Sequence, residues 1–247
     1  MVNHPKKNFL KLHKKIMSLK PQFIKNVTEA INKKVGDGDL DDYLIVWNQL
    51  QKIASPVIKE ILEKNFKGAK ITIAKTKSTY PDIKMEWKGF KIAIDIKSNE
   101  SSKEPWYDIA RLDTIVQTRI NKFDEEYDLV VKYDSKTKKL IKMFFETMRN
   151  TVGIRKECNG VKYRPYDGKL RPKTWKEFDK GIVYWKTKKD FLQGIENSKK
   201  HRWKELARKQ AKHLSKKEKK EFRDIFKCLL SFLTQAIASF LSYFHLS

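Results

Sequence analysis

The chain has 247 residues and a formal net charge of +25, with 55 Lys and Arg against 30 Asp and Glu. At 40% hydrophobic, with 14 Phe, 9 Tyr and 6 Trp, it is too apolar for a disordered chain and can bury a substantial core. Two distant cysteines, Cys158 and Cys228, exclude a disulfide framework or a zinc spacing, and the scattered His4, His13, His201, His213 and His245 exclude an imidazole-based zinc site or a Ser/His/Asp hydrolase.

The N-terminus, Met1-Val2-Asn3-His4-Pro5-Lys6-Lys7, carries lysines with no apolar run behind them, so no signal peptide is expected and the reducing cytoplasm is the expected compartment. Residues 6–35 read as helix, with Phe9, Leu10, Leu12, Ile16, Met17 and Leu19 set among lysines. Pro21 breaks the run and Phe23, Ile24, Val27 and Ile31 resume it. Gly36-Asp37-Gly38-Asp39 is a loop, too short in ligands for an EF-hand. Residues 40–66 form a second helical stretch with one apolar stripe from Tyr43 to Leu62, which Pro56 is expected to bend or divide. Ala69–Lys75 reads as a strand.

The richest segment follows. Tyr80-Pro81-Asp82-Ile83-Lys84-Met85-Glu86-Trp87 and Phe90-Lys91-Ile92-Ala93-Ile94-Asp95-Ile96-Lys97 alternate in polarity around Lys88-Gly89, which predicts a β-hairpin. A two-residue loop sets Trp87 opposite Phe90 and therefore Asp82 opposite Asp95, with Cβ atoms roughly 5 Å apart. Lys97 points the same way as Asp95, while Ile83, Met85, Trp87, Phe90, Ile92, Ile94 and Ile96 point to the other side. Facing carboxylates repel unless something offsets their charge, and Mg²⁺ is held by such a pair plus water and phosphate. The same alternation also describes the solvated face of an ordinary amphipathic hairpin, and Glu86 opposite Lys91 fits that plainer reading.

Pro81-Asp82 followed by Asp95-Ile96-Lys97 resembles the PD-(D/E)xK nuclease superfamily, and the wording of both strands is similar to restriction endonucleases of the EcoRV kind. Trp175–Val183 with Lys189–Leu192, and Ser55–Lys64, resemble further segments of that family, so the likeness extends in patches over residues 40–205. It implies an α/β fold with a mixed central β-sheet flanked by helices. It also implies that Asp82 and Asp95 bind Mg²⁺ and that Lys97 assists the attacking water. The family often adds an acid from the preceding helix. That place falls on Gln51, an amide that brings a carbonyl but no charge, with Gln49, Glu60 and Glu63 nearby.

Downstream, Ser98–Ser102 reads as a polar loop beside the site, with Ser98 and Asn99 as candidate phosphate contacts. Residues 107–123 read as helix, and Asp128–Tyr133 and Ile141–Phe145 as strands around a Lys-rich turn. Residues 159–174 form a long basic loop without period, where Lys162, Tyr163, Arg164, Lys169, Arg171 and Lys173 are candidate DNA contacts; a plain basic surface loop is the alternative. In the resembling family the base-reading loop precedes the segment matched by Trp175–Val183. Residues 199–223 read as a basic helical arm. Leu229 to Phe244 recur at helical spacing with a polar stripe, which favours packing on the body or a partner subunit over a membrane span.

The expected division is a nuclease domain over 1–198 and a helical C-terminal arm over 199–247. The expected function is a Mg²⁺-dependent, sequence-specific endonuclease on double-stranded DNA, acting as a homodimer with no obligatory membrane. Two alternatives remain at this point: a structure-specific repair or resolvase nuclease on the same fold, and a basic DNA-binding protein whose acidic face is only surface.

Overall fold

The computed structural model describes residues 5–36, 49–76, 79–134, 136–137, 139–213 and 224–225. Two amphipathic helices come first, α1 (Pro5–Ser18) and α2 (Lys20–Gly36). The break falls at Leu19, and Pro21 occupies the first turn of α2, where its missing N–H removes no helical bond. Leu12, Ile16, Phe23, Val27 and Ile31 are buried, as their spacing requires. In α3 (Leu50–Asn65), Pro56 is exposed and the helix runs through it undivided, with Leu50, Ala54, Ile58, Ile61 and Leu62 turned inward. The predicted Gly36–Asp39 loop beyond Gly36, the helical residues Tyr43, Val46 and Trp47, and the apolar tail lie outside the described residues.

Five strands form one mixed sheet in sequence order: β1 (Lys70–Ile73), β2 (Ile83–Trp87), β3 (Phe90–Glu100), β4 (Glu125–Asp134) and β5 (Lys139–Thr147). Only β3 and β4 run parallel; the other neighbours are antiparallel. The predicted hairpin is β2–β3, with Trp87 opposite Phe90 and Ile83 opposite Ile94. Lys88 and Gly89 both have positive φ, +48° and +83°, the pairing that a two-residue turn needs to match strand twist.

Each face of the sheet has its own apolar cluster. Helices α1 to α3 cover one face and pack on Ile71, Ile83, Met85, Ile92, Ile94, Leu129 and Phe145. The other face is covered by residues 107–120 and by the chain beyond β5. That second cover includes short α4 (Met148–Thr151), a ribbon of β6 (Ile154–Arg155) and β7 (Gly160–Val161), and α5 (Trp175–Asp179). Thr174 and Glu177 close the start of α5 with a reciprocal capping box. The hairpin's polar face is therefore interior at Asp82 and Asp95, whereas Lys84, Glu86 and Lys91 nearer the turn keep the solvated character of the plainer reading.

Three local expectations are corrected. Ser98 and Asn99 belong to β3, paired with Val131 and Lys132, and are not loop residues. Residues 107–123 form only a short π-helical turn, Val116–Ile120. Their backbone is instead tied to the downstream loop, with Ile109 N donating to Leu170 O, Leu112 N to Gly168 O and Leu170 N to Ala110 O. That loop is correspondingly less free than its composition implied: Tyr163 bridges Leu170, Arg111 bridges Lys169 and Val152 bridges Pro172.

Met1–Lys199 form one compact unit and Lys200–Ser247 a second. A long helix, α6 (Lys188–His213), ends the described part of the fold apart from Asp224 and Ile225. Among the described residues no helix is long and apolar enough to cross a membrane.

Candidate active site

The covered face of the sheet carries a row of acids. Extending the hairpin register by one pair sets Asp82 opposite Asp95. The parallel pairing sets Asp95 beside Asp128, and the next strand sets Asp128 beside Glu146. Glu126 lies on the same face two residues before Asp128. Neighbouring strands lie roughly 4.8 Å apart, so four strands present a line of carboxylates at near-contact spacing. Asp82 is 6% exposed, Asp95 5% and Asp128 1%.

Such a row survives in the interior only because cations and donors are placed along it. Ile96 donates its backbone N–H to Asp82 Oδ2 at 2.6 Å. Lys97 Nζ lies 2.8 Å from Asp95 Oδ2 and forms an ion pair with it. Arg119, from the π-helical turn, sits 3.7 Å from Asp95 and 3.9 Å from Glu126, and its guanidinium stacks 3.6 Å over the Tyr80 ring. The Tyr80 hydroxyl donates to Glu126. Thr151 Oγ1 donates to Asp128 at 2.6 Å, and Lys173 Nζ lies 2.7 Å from Glu146.

The protonation pattern follows. Burial and the charge of Asp95 push Asp82 up to about 7. Burial also acts on Asp95, but Lys97 and Arg119 beside it win and hold it below the usual range. Burial raises Glu126 to about 7 against the pull of Tyr80 and Arg119, and burial with the charge of Asp95 raises Asp128 to about 6. Burial works against the Lys97 ammonium, yet the charges of Asp95 and Asp128 raise it overall.

A pH dependence of stability is expected from these three raised carboxyls. Each binds its proton more tightly folded than unfolded, so its stabilising contribution is complete below about pH 4 and fades as the pH rises through about 7. The melting temperature of chelator-treated protein should therefore fall between roughly pH 5 and pH 8. A flat or rising profile would contradict the buried row.

The donor set bears on metal binding. Asp82 and Asp95 offer hard oxygens, and their mutual repulsion raises Asp82 beyond its burial. Among the described residues no three acidic, imidazole or thiol side chains converge as a ready-made ligand cluster. The pair offers the hard oxygen donors that a divalent cation such as Mg²⁺ takes.

Of the residues singled out in the sequence, Asp82, Asp95 and Lys97 come together. Gln51 lines a cleft between α3 and β1 with Ser55, Pro56, Ala74 and Lys75, and Ala74 N donates to the Asp82 carbonyl at 2.8 Å. Asn99 accepts a hydrogen bond from the Trp106 backbone at 2.9 Å, and Ser98 is half-buried in its strand. Lys162 is half-buried, its charge near Glu177. Tyr163, Arg171 and Lys173 are buried. Arg171 lies 2.7 Å from Asp108 and Lys173 2.7 Å from Glu146. Arg164 pairs with Asp167, and Lys169 pairs with Asp108.

Sequence reasoning missed Glu126, Asp128, Glu146, Arg119 and Tyr80. The alternation Glu126-Tyr127-Asp128-Leu129 places two acids on one strand face, but only the parallel pairing of β3 with β4 brings them to Asp95.

No protein-family model matches the chain. No curated protein matches it either. Among solved structures it is similar to one titled NlaIV restriction endonuclease, with a TM-score of 0.42 and 16% identity over 62% of this chain. The chain spans 63% of the length of that structure. A superposition of that quality assigns no residue a role.

Proposed function

We propose that this chain is a Mg²⁺-dependent endonuclease of the restriction-enzyme kind, hydrolysing phosphodiester bonds at a specific sequence of double-stranded DNA. The observation that carries the reading is the facing pair Asp82 and Asp95 with Lys97 on the same sheet face, all drawn out of bulk water. The net charge of +25 supports a polyanionic substrate. Asp82 and Asp95 would hold Mg²⁺, which when bound supplies Lewis acidity to a phosphate oxygen and lowers the pKa of a coordinated water.

The chain's own groups have separable tasks. Ile96 N–H and Arg119 fix the orientation of the two carboxylates. Lys97 is the most open of the three, with 19% of its side chain exposed. The scissile phosphate would approach from that side, and the ammonium would hold the attacking water in line and stabilise charge developing on phosphate. Cutting both strands at one site calls for two active sites, so the enzyme is proposed to act as a homodimer on a two-fold symmetric sequence.

Digestion of a long duplex DNA with Mg²⁺, followed by sequencing of the ends, tests the reading. Ends sharing one short sequence are expected; ends that depend on a junction, or no ends at all, would overturn it. Lys97→Ala is expected to lower kcat about 10²–10³-fold with KM little changed, as for loss of an electrostatic contact made only in the transition state. An altered salt dependence of binding with unchanged kcat would make Lys97 a phosphate contact instead.

A further inference from the structure

At the far end of β3 from the hairpin turn, two aromatic side chains stand out in solvent. Trp106 is 60% exposed and Tyr166 is 73% exposed. Both are held by cations. The Arg171 guanidinium lies 3.9 Å from the Trp106 ring centroid, and Arg164 lies 4.5 Å from the Tyr166 ring and 5.9 Å from that of Trp106. Arg171 is itself 2% exposed, so it backs the inner face of the indole and leaves the outer face open. Asp108 stands 2.7 Å from Arg171, and Arg164 is forked onto Asp167, with Nε 2.8 Å from one oxygen. The guanidiniums are thereby fixed in place as supports.

An exposed indole anchored in this way is unusual for a mere surface residue. A free Trp side chain lowers its free energy by folding down onto the protein. Here a buried charge holds it outward: Arg164 and Arg171 lie against the indole, paired with Asp167 and Asp108, and Lys169 pairs with the same Asp108. A flat π-face in a positive field is what an unpaired nucleobase on a phosphate strand binds, with stacking indifferent to base identity. The platform is also wired to the carboxylate strand. Trp106 N donates to the side chain of Asn99, which lies two residues, about 7 Å, beyond Lys97 on the same side of β3.

We infer that Trp106 and Tyr166 form a stacking platform for an unpaired nucleobase of the DNA strand held at the Asp82, Asp95 and Lys97 site. This rests on the nuclease reading for its ligand and deepens it: the base next to the scissile phosphate leaves the duplex stack, or is already outside it, when the strand is bound. The two sources share one chemistry and differ in which DNA binds well.

The test uses the full-length protein without divalent metal and three oligonucleotides carrying 2-aminopurine: fully paired, with one unpaired base, and single-stranded. Parent protein is expected to change 2-aminopurine fluorescence through contact with the indole. Trp106→Ala should weaken binding of the unpaired and single-stranded probes about 5- to 150-fold, the worth of one stacked base. Tyr166→Ala should act in the same direction, and Trp106→Phe should retain most of the affinity. A loss that extends to the fully paired probe with the same fluorescence change indicates extrusion from the duplex; a loss confined to the other two indicates a strand already open. If Trp106→Ala and Tyr166→Ala bind all three probes as the parent does, the platform is wrong, whatever the cleavage assay shows. If the parent stacks the base but never cuts with Mg²⁺, the nuclease reading fails and the platform stands.

Discussion

Asp82→Asn is expected to remove Mg²⁺-dependent cleavage, by about 10³-fold, and at the same time to raise the melting temperature of the metal-free protein above pH 7. The two effects have one cause. Asp82 is buried against Asp95, and the resulting rise to about 7 means that at higher pH the fold carries a second negative charge it does not stabilise. Asparagine keeps a carbonyl for the Ile96 N–H and discards the charge. A metal-binding carboxylate is destabilising until its ion arrives, which is the usual trade between activity and stability. DNA binding should persist, because in the proposed mechanism the pair would hold metal and not the duplex. Asn is preferable here to Ala at Asp95, where truncation would also leave Lys97 and Arg119 buried without their counter-charge. Cleavage and thermal melting of the same preparation decide the matter: parent-like cutting would remove Asp82 from the site, and an unchanged melting temperature would deny the repulsion.

Lys173→Met should destabilise the protein by about 3–5 kcal/mol, the effect of removing one partner from a buried ion pair. Lys173 is fully buried, 2.7 Å from Glu146 and 2.9 Å from the Ile182 carbonyl, so the substitution strands a carboxylate at the end of the acidic row. For a unit of this size that corresponds to a fall of roughly 6–20 °C in Tm. Adding Glu146→Gln should recover a large part of the loss, since both charges then leave together. A Lys173→Met protein that melts like the parent and loses DNA affinity would restore Lys173 to the DNA-reading role its sequence position suggested.

What could be read from the sequence was whatever depends on neighbours along the chain. The β2–β3 hairpin has a two-residue turn and clean alternation, so its register and its core face were legible, and with them Asp82, Asp95 and Lys97. The rest depends on pairings that local sequence does not encode. Residues 107–123 carry helix-compatible residues, yet hydrogen bonds to Gly168 and Leu170 draw them into an irregular strap. Lys173 and Arg171 look like surface cations in a Gly- and Pro-rich stretch. Only the folded loop shows Glu146 and Asp108 waiting for them. Gln51 was placed by alignment to a family pattern, and in the fold it lines a cleft beside Ala74, the backbone neighbour of Asp82. The acids that do extend the site, Glu126 and Asp128, reach Asp95 through a parallel crossover, the kind of long-range pairing that no short window of sequence reveals.

The turn at Lys88-Gly89 has a bearing on how this chain tolerates change. Opposite residues in a hairpin are fixed by counting outward from the loop, so the loop acts as a ruler for the whole ribbon. Asp82 faces Asp95 because the count from the Trp87–Phe90 pair is the same on both arms. One residue inserted at the tip would slide the arms by a step and turn Asp82 toward the aliphatic side, with no side chain near the carboxylates altered. Two residues, one in each arm, would restore parity. Sequence drift at this exposed and chemically unremarkable corner is therefore constrained in length, although almost free in composition apart from Gly89, whose positive φ closes the turn.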